Sequence, residues 1–150
     1  MKKNKLTIFI IGILVLLTAI FAVIHLTTRP QEQEGAVQVV HQGKTTVIRV
    51  EDLKPVAQVD GTVTNNAGEE KQISGPGIMV SDVLKLAGIS PQGEVKVTSA
   101  DEYTVSLTSE ELAEEGKAWL MIEEDSLRLI VFGDQGAKRN VKNVARLTVE

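Results

Sequence analysis

The sequence has no cysteine, and its 150 residues include only one tryptophan, one tyrosine and three phenylalanines. The lack of thiols excludes disulfides, thiolate metal ligands and cysteine nucleophiles together. Because aromatic residues are scarce, aliphatic side chains have to build most of any core. A domain of about 115 residues is nevertheless large enough to be stable without disulfide cross-links.

Charged residues are absent from a long N-terminal stretch. None occurs between Lys5 and Arg29, and the run Leu6–Leu26 has only two threonines and one histidine as polar interruptions. At about 1.5 Å per residue, a helix of this length matches the hydrocarbon core of a bilayer, which is about 30 Å thick. Lysines precede the run, so the positive-inside rule places the N-terminus in the cytoplasm. The sequence therefore predicts a cytoplasmic tail, a single-pass anchor in the cell membrane, a linker and an extracytoplasmic domain, at residues 1–5, 6–26, 27–35 and 36–150.

A cleavable signal peptide is the alternative interpretation of this run. The apolar region of a signal peptide usually has about 7–15 residues and is followed by small residues at the cleavage site. Here the run is longer, and Ile24–Thr27 lacks a small-x-small pattern. The uncleaved anchor is therefore the favoured prediction.

The portion outside the anchor is acidic. From Pro30 onward it carries 12 Lys and Arg residues against 20 Asp and Glu residues, a net charge of −8 with histidine neutral. Phosphate neutralisation supplies most of the general affinity of proteins for nucleic acids. We therefore expect no nucleic-acid partner.

Strand-like runs dominate this outer portion. Two short helices are predicted, one capped by Ser81 and ending at Gly88, and one that begins with a capping box formed by Thr108 and Glu111. The elements lack regular βαβ alternation, which predicts an α+β domain with a mixed sheet rather than a Rossmann-type fold. The predicted strands are residues 37–41, 45–50, 56–64, 70–74, 95–97, 103–107, 118–122, 127–132 and 144–149.

Two further local predictions concern breaks between elements. Glu51–Lys54, closed by a proline, predicts a single helical turn. The glycine-rich Ser74–Gly77 lacks the lysine and Ser/Thr of a phosphate-binding loop, so we interpret it as a turn.

The sequence offers little catalytic chemistry. No nucleophile elbow, P-loop or dinucleotide-binding glycine motif is present, and His41 is the one histidine outside the apolar run. We expect His41 to be an exposed turn residue rather than a metal ligand, because histidine-based zinc sites need several ligands at set spacings. Nine acidic residues lie between Asp101 and Asp125 against Lys117 alone. General acid–base catalysis or calcium binding is one interpretation, and solvated helix and turn surfaces are the favoured one.

Two segments are candidate ligand contacts. Residues 138–146 carry four cations and no acid, which is consistent with an anion site or with a charged loop that leads to an edge strand. The Ser99–Tyr103 turn either contacts a ligand or simply reverses the chain. The candidate site residues are Ser99, Asp101, Tyr103, Lys138, Arg139 and Lys142.

Several motifs, in the same order, resemble the sulfite-oxidase-like, molybdopterin-binding oxidoreductase domain. Gly77–Ile89 resembles that family's first helix motif, G-v-x-l-x-d-L-L-x-x-A-G. Val97–Tyr103 is similar to its v-t-S-x-D-G-Y, with glutamate in place of the usual glycine. Leu127–Val131 is similar to L-R-L-v-v, and Arg139–Val149 to the closing x-x-V-K-W-v-x-x-I-x-V. The resemblance spans about residues 37 to 150 and implies the fold of that domain.

The resemblance also implies what this chain lacks. Catalytic members of the family bind molybdenum through a cysteine thiolate that precedes the first helix motif, and this chain has no cysteine. Asn143 also stands where the family often has tryptophan. The resemblance therefore implies a molybdopterin-type scaffold, with a pterin or phosphate cleft in which Lys138, Arg139 and Lys142 contact the anion.

Three hypotheses follow for function. The favoured one is a non-catalytic extracytoplasmic module that binds a small anionic or pterin-like ligand or docks a redox protein of the cell envelope. The second is an oxidoreductase that retains a molybdopterin cofactor without a cysteine ligand. The third is a structural protein-interaction domain without a ligand, which predicts a filled core and no open basic cleft near residues 138–142.

Overall fold

A computed structural model describes residues 2–28, 34–90 and 92–150, with side chains for all of these except residues 2, 3 and 25–28. Part of the predicted linker, residues 29–33, lies outside the described residues. The chain divides into two compact units, Met1–Gln31 and Glu32–Glu150.

The first unit is a single helix, α1 (Lys2–Thr28). Its window Asn4–Ile24 has a mean hydropathy of 3.0, so the helix is long and apolar enough to cross a membrane, although a signal sequence would have the same properties. The described side chains are exposed around the whole helix. A helix that is apolar on every side needs a lipid or protein environment to cover it.

The second unit contains nine strands and three short helices within the described residues. The helical elements are a 3₁₀ turn at Val50–Asp52, α2 (Val80–Leu86) and α3 (Ser109–Ala113). The strands are β1 (Ala36–His41), β2 (Lys44–Arg49), β3 (Ala57–Thr64), β4 (Glu70–Met79), β5 (Val95–Ser99), β6 (Thr104–Leu107), β7 (Ala118–Glu123), β8 (Ser126–Val131) and β9 (Val144–Val149). The predicted α+β class is therefore confirmed.

The strands form two sheets. The five-stranded sheet has the order β2-β1-β9-β5-β6, and the four-stranded sheet has the order β3-β4-β7-β8. The first is mixed, because β1 and β9 run parallel while its other neighbours are antiparallel. The interpretation of residues 138–146 as a loop leading to an edge strand is wrong, because β9 lies between β1 and β5 in the middle of its sheet.

One core joins the two sheets and the helices. Val39, Val97 and Leu147 from the five-stranded sheet belong to the same buried cluster as Leu120 and Leu129 from the four-stranded sheet. Helix α2 adds Val83 and Leu84, and α3 adds Leu112. Burial of each such aliphatic side chain contributes about 1.5–3 kcal/mol, which lets a domain with few aromatics hold together.

The predicted turn at Ser74–Gly77 is wrong, because this segment is the interior of β4. A Cβ on Gly75 would lie 3.1 Å from the Met121 methyl carbon, and one on Gly77 would lie 2.9 Å from a Val59 methyl carbon. The glycines therefore make room for side chains on the outer face of the four-stranded sheet. There Val59, Met121 and Ile130 form a second, smaller buried cluster.

The two helix starts differ from each other. The capping box of α3 is confirmed, because the Thr108 hydroxyl accepts from the Glu111 backbone and the Glu111 carboxylate accepts from the Thr108 backbone. The predicted cap of α2 is wrong. Its N-cap is Met79, which makes no side-chain cap hydrogen bond, and Ser81 lies inside the helix.

Candidate functional site

The Ser99–Tyr103 turn holds its shape through its own polar groups. The Ser99 amide donates to the Tyr103 carbonyl at 2.9 Å, and the Glu102 amide donates to the Ser99 carbonyl at 3.0 Å. The Ser99 hydroxyl donates to the Asp101 carboxylate. This bond, with a backbone bond from Tyr103, lowers the pKa of Asp101 below its usual value. Asp101 is therefore ionised at neutral pH and is already used within the turn.

Glu102 occupies the position where the turn needs a left-handed backbone. Its φ angle is +67°, a conformation that glycine adopts without steric cost and that side chains with a Cβ adopt rarely. The turn therefore carries some backbone strain at Glu102.

The structure places this turn against the basic segment at three points. The Tyr103 hydroxyl donates to the Lys138 carbonyl at 2.8 Å. The Ala100 amide donates to the Asn143 carbonyl at 2.9 Å. The Nη2 atom of Arg146 lies 3.7 Å from the Glu102 carboxylate. The two groups of predicted site residues therefore lie side by side, with Lys138 and Lys142 next to the two hydrogen-bonded contacts of the turn.

Arg139 is used inside the protein. Its Nε donates to Asp134 at 2.8 Å, and its Nη1 and Nη2 donate to the two carboxylate oxygens of Glu111 at 2.8 Å and 2.6 Å. Nη1 also donates to the Ser106 carbonyl at 3.3 Å, and Nη2 to Asp134. A guanidinium has five N–H donors, and all five have protein acceptors here. We call Arg139, Glu111 and Asp134 the arginine clamp.

The clamp is partly shielded from solvent, because its side chains are only 20–25% exposed. Hydrogen bonds from Arg139 lower the pKa of Glu111 below its usual value, and the two carboxylates raise the pKa of Arg139. The expectation that Glu111 lies on a purely solvated helix face is therefore wrong. Its carboxylate closes the capping box and also binds an arginine 28 residues away.

Lys138 and Lys142 differ from Arg139. Both side chains are exposed, and neither forms an ion pair with another residue in the described part of the chain. Tyr103, beside them, is 51% exposed. We call Tyr103, Lys138 and Lys142 the basic ridge. The concavity next to Arg139 holds only about 10 Å³, room for one water molecule, so an anion would meet these lysines at the surface.

A wider groove borders the turn on its other side. Its volume is about 1220 Å³, and it lies between the β7–β8 hairpin, the segment around the 3₁₀ turn and the start of β9. Ala100 and Asn143 form part of its wall. Arg49 is the cation in the lining, and the acids there are Glu34, Glu51, Glu123, Glu124 and Asp125.

Only some of the groove acids are paired. Glu51 lies 3.1 Å from Arg49, and Glu123 lies 3.3 Å from Arg128. The remaining three acids form no ion pair with another described residue. Glu124 and Asp125 form the turn between β7 and β8, and no local sequence pattern indicates that this turn borders a groove.

The residues present do not form a molybdenum site of the kind that the resemblance implies. The chain supplies no thiolate, and the described residues include no group of three His, Cys, Asp or Glu side chains placed to hold a metal ion. His41 lies beside β9, with its Nδ1 3.4 Å from the Val149 carbonyl oxygen.

No protein-family model and no curated protein matches this chain. The resemblance to the sulfite-oxidase-like domain thus stays a prediction.

Proposed function

We propose that this chain is a membrane-tethered binding domain without a redox centre of its own, and that its basic ridge takes a small anionic ligand. The observation that carries the proposal is the pair of contacts that join the Ser99–Tyr103 turn to the basic segment. These contacts bring the backbone near two exposed lysines, Lys138 and Lys142, against the turn that ends at the half-exposed Tyr103, and neither lysine forms an ion pair with a described residue.

The ridge has the chemistry for an aromatic phosphate or a similar anion. Lysine ammonium groups bind phosphate oxygens as mobile point charges. A tyrosine ring offers a flat apolar face on which a heterocycle can stack. A phosphorylated pterin combines both features, so the ligand class implied by the family resemblance suits the ridge.

The N-terminal helix supports the location. Its length and composition suit a membrane span, and the lysines before it favour an N-terminus in the cytoplasm. The proposal therefore places the second unit outside the cytoplasm, as a domain held at the cell membrane. A cleaved signal sequence would leave the same domain outside the cytoplasm, without its tether.

A titration tests the ridge. The full chain in mild detergent is titrated with inorganic tripolyphosphate and with a phosphorylated pterin, at low and high salt. A variant that combines Lys138→Gln and Lys142→Gln should lose about tenfold in affinity for both probes, because ammonium–phosphate attraction is lost. The matched control combines Lys44→Gln and Lys71→Gln, two exposed lysines elsewhere, and should bind as the wild type does. Equal affinity of all three proteins would reject the basic ridge as the anion-binding site.

Metal analysis tests the lack of a redox centre. The chain is purified from a host that makes the molybdenum cofactor, and its molybdenum content is measured. We expect none above background, because no thiolate is available to bind the metal. Stoichiometric molybdenum with a bound pterin would instead favour the oxidoreductase hypothesis.

The groove supports a second candidate function, the docking of a cationic segment of an envelope redox protein. Three acids of its lining form no ion pair with another described residue, which favours a lysine- or arginine-rich partner. The variant Glu124→Lys with Asp125→Lys should weaken binding of a Lys/Arg-rich test peptide, whereas Glu115→Lys, on an exposed site outside the groove, should have little effect. Unchanged binding in the groove variant would reject this function.

A further inference from the structure

We infer that Glu111 and Asp134 are positioning residues for the basic ridge, and that they act through Arg139 on Lys138 but not on Lys142. This inference rests on the proposed anion site. It assigns a role in binding to two carboxylates that lie outside the ridge and that, as negative charges, would not be expected to favour an anion.

The clamp and the ridge share one short piece of chain. Lys138 and Arg139 are neighbours, and each of them forms one hydrogen bond with the chain at or just before β6. The Lys138 carbonyl accepts from Tyr103, which directly precedes β6, and the Arg139 guanidinium donates to the Ser106 carbonyl within β6. The peptide is therefore held at its carbonyl and at its guanidinium.

The clamp also ties this piece of chain to a helix. Both oxygens of Glu111 accept from Arg139, and one of them also accepts from the Thr108 amide at the start of α3. A guanidinium bound to a carboxylate by two parallel bonds is fixed in orientation as well as in distance. Without that carboxylate, Arg139 would keep its bonds to Asp134 and to the Ser106 carbonyl but would lose its tie to α3, and Lys138 would be held less firmly.

Lys142 is fixed by different contacts. The Leu129 amide donates to the Val141 carbonyl at 2.8 Å, and the Ala100 amide donates to the Asn143 carbonyl at 2.9 Å. These bonds hold the peptides on either side of Lys142, and neither involves the clamp. Lys142 therefore serves as an internal comparison for Lys138.

Electrostatics and positioning predict opposite changes in anion affinity for the substitution Glu111→Gln. Removal of a carboxylate near an anion site should raise anion affinity if only charge matters, because a repulsive interaction is lost. If Glu111 positions Lys138, the variant Glu111→Gln should lower the affinity for tripolyphosphate by about fivefold.

A double-mutant cycle tests whether Glu111 affects anion affinity through Lys138. Tripolyphosphate affinity is measured for Glu111→Gln in three backgrounds of the full chain in detergent: wild type, Lys138→Ala and Lys142→Ala. We expect the loss of about fivefold in the wild-type and Lys142→Ala backgrounds, and almost none with Lys138→Ala. Glu114→Gln, at the C-cap of α3 and with a side chain that is 64% exposed, is the matched control and should change affinity little.

The outcomes separate this inference from the proposed function. No tripolyphosphate binding by the wild type would overturn both. Wild-type binding that weakens with Lys138→Ala, together with an equal loss from Glu111→Gln in every background or a gain in affinity, would overturn the positioning role alone. Asp134→Asn repeats the cycle from the other side of the clamp, outside the capping box, in case Glu111→Gln does not fold.

Discussion

Residues 101–125 carry nine acids and residues 138–146 carry four cations, and in the structure the two segments lie against each other. Both arginines of the basic segment face carboxylates of the acidic one, Arg139 with Glu111 and Arg146 with Glu102. Both lysines remain exposed, and neither has an ion pair among the described residues. The basic segment thus pairs its two arginines with the acidic segment, and its two lysines remain exposed to solvent.

The difference follows from the shapes of the two cationic groups. A guanidinium is planar, is weakly hydrated and presents donors in a fork that matches a carboxylate, whereas an ammonium is strongly hydrated and flexible. Partly buried positions therefore favour arginine, and exposed positions tolerate lysine. Within one basic segment, the residue type separates cations that hold the fold from cations that remain available to a ligand.

The largest expected effect is the loss of the clamp cation. Arg139→Met removes the cation that Glu111 and Asp134 share, which should lower the free energy of unfolding by about 3 kcal/mol. Lys138→Met, one residue away, should change it by less than about 0.5 kcal/mol. Urea unfolding of the full chain in detergent, followed by the fluorescence of Trp119, measures both values. Similar losses in the two variants would remove the distinction between clamp and ridge.

A second substitution tests whether shape, rather than charge, explains the difference. Arg139→Lys keeps the charge but loses the fork, so it should cost about 2 kcal/mol by the same unfolding measurement. The reverse change, Lys138→Arg, should be nearly neutral, because no carboxylate is paired there. If Arg139→Lys were as stable as the wild type, charge alone would explain the clamp.

Acid titration of the clamp is expected to have a smaller effect. Glu111→Gln should lower stability at pH 7 by about 1 kcal/mol, because the amide keeps only one acceptor oxygen and no negative charge for Arg139. The folded pKa of Glu111 lies below its usual value of 4.5, so the ionised carboxylate stabilises the fold above about that pH.

This stabilisation is lost as the pH falls through the folded pKa, once the carboxyl is protonated in both states. The stability difference between wild type and Glu111→Gln should therefore shrink below pH 4.5, in urea unfolding curves collected from pH 7 down to pH 3. A difference that stays constant over this range would show that Glu111 acts through shape alone. The control is Glu115→Gln, which neutralises an exposed acid four residues after Glu111.

The sequence predicted those features whose causes are local. The capping box of α3 depends on residues three apart, Thr108 and Glu111, and it was predicted correctly. The Arg139–Glu111 pair joins residues 28 apart, and nothing in either segment identifies the partner of the other. The juxtaposition of the Ser99–Tyr103 turn with the basic segment depends on the order of strands in a sheet, which the sequence did not supply.

The wrong predictions share a cause as well. Glycine permits tight turns, which favoured a turn at Ser74–Gly77, but it also permits close approach of a side chain such as Met121 to an extended strand. Whether β9 lies at the edge or in the middle of its sheet is decided by β1, about a hundred residues earlier in the chain. Such outcomes depend on packing partners that a local pattern does not contain.

The smallest expected effect comes from the hydrogen bond between the Tyr103 hydroxyl and the Lys138 carbonyl. Tyr103→Phe removes one exposed hydrogen bond to the Lys138 carbonyl and should lower the free energy of unfolding by about 0.5 kcal/mol. Its ring remains available to stack on a ligand, so affinity for a phosphorylated pterin should fall little compared with Tyr103→Ala. If Tyr103→Phe instead cost more stability than Arg139→Lys, the turn and not the clamp would hold the basic segment in place. The ion pairs of the two arginines would then be a result of the contact between the two segments and not its cause.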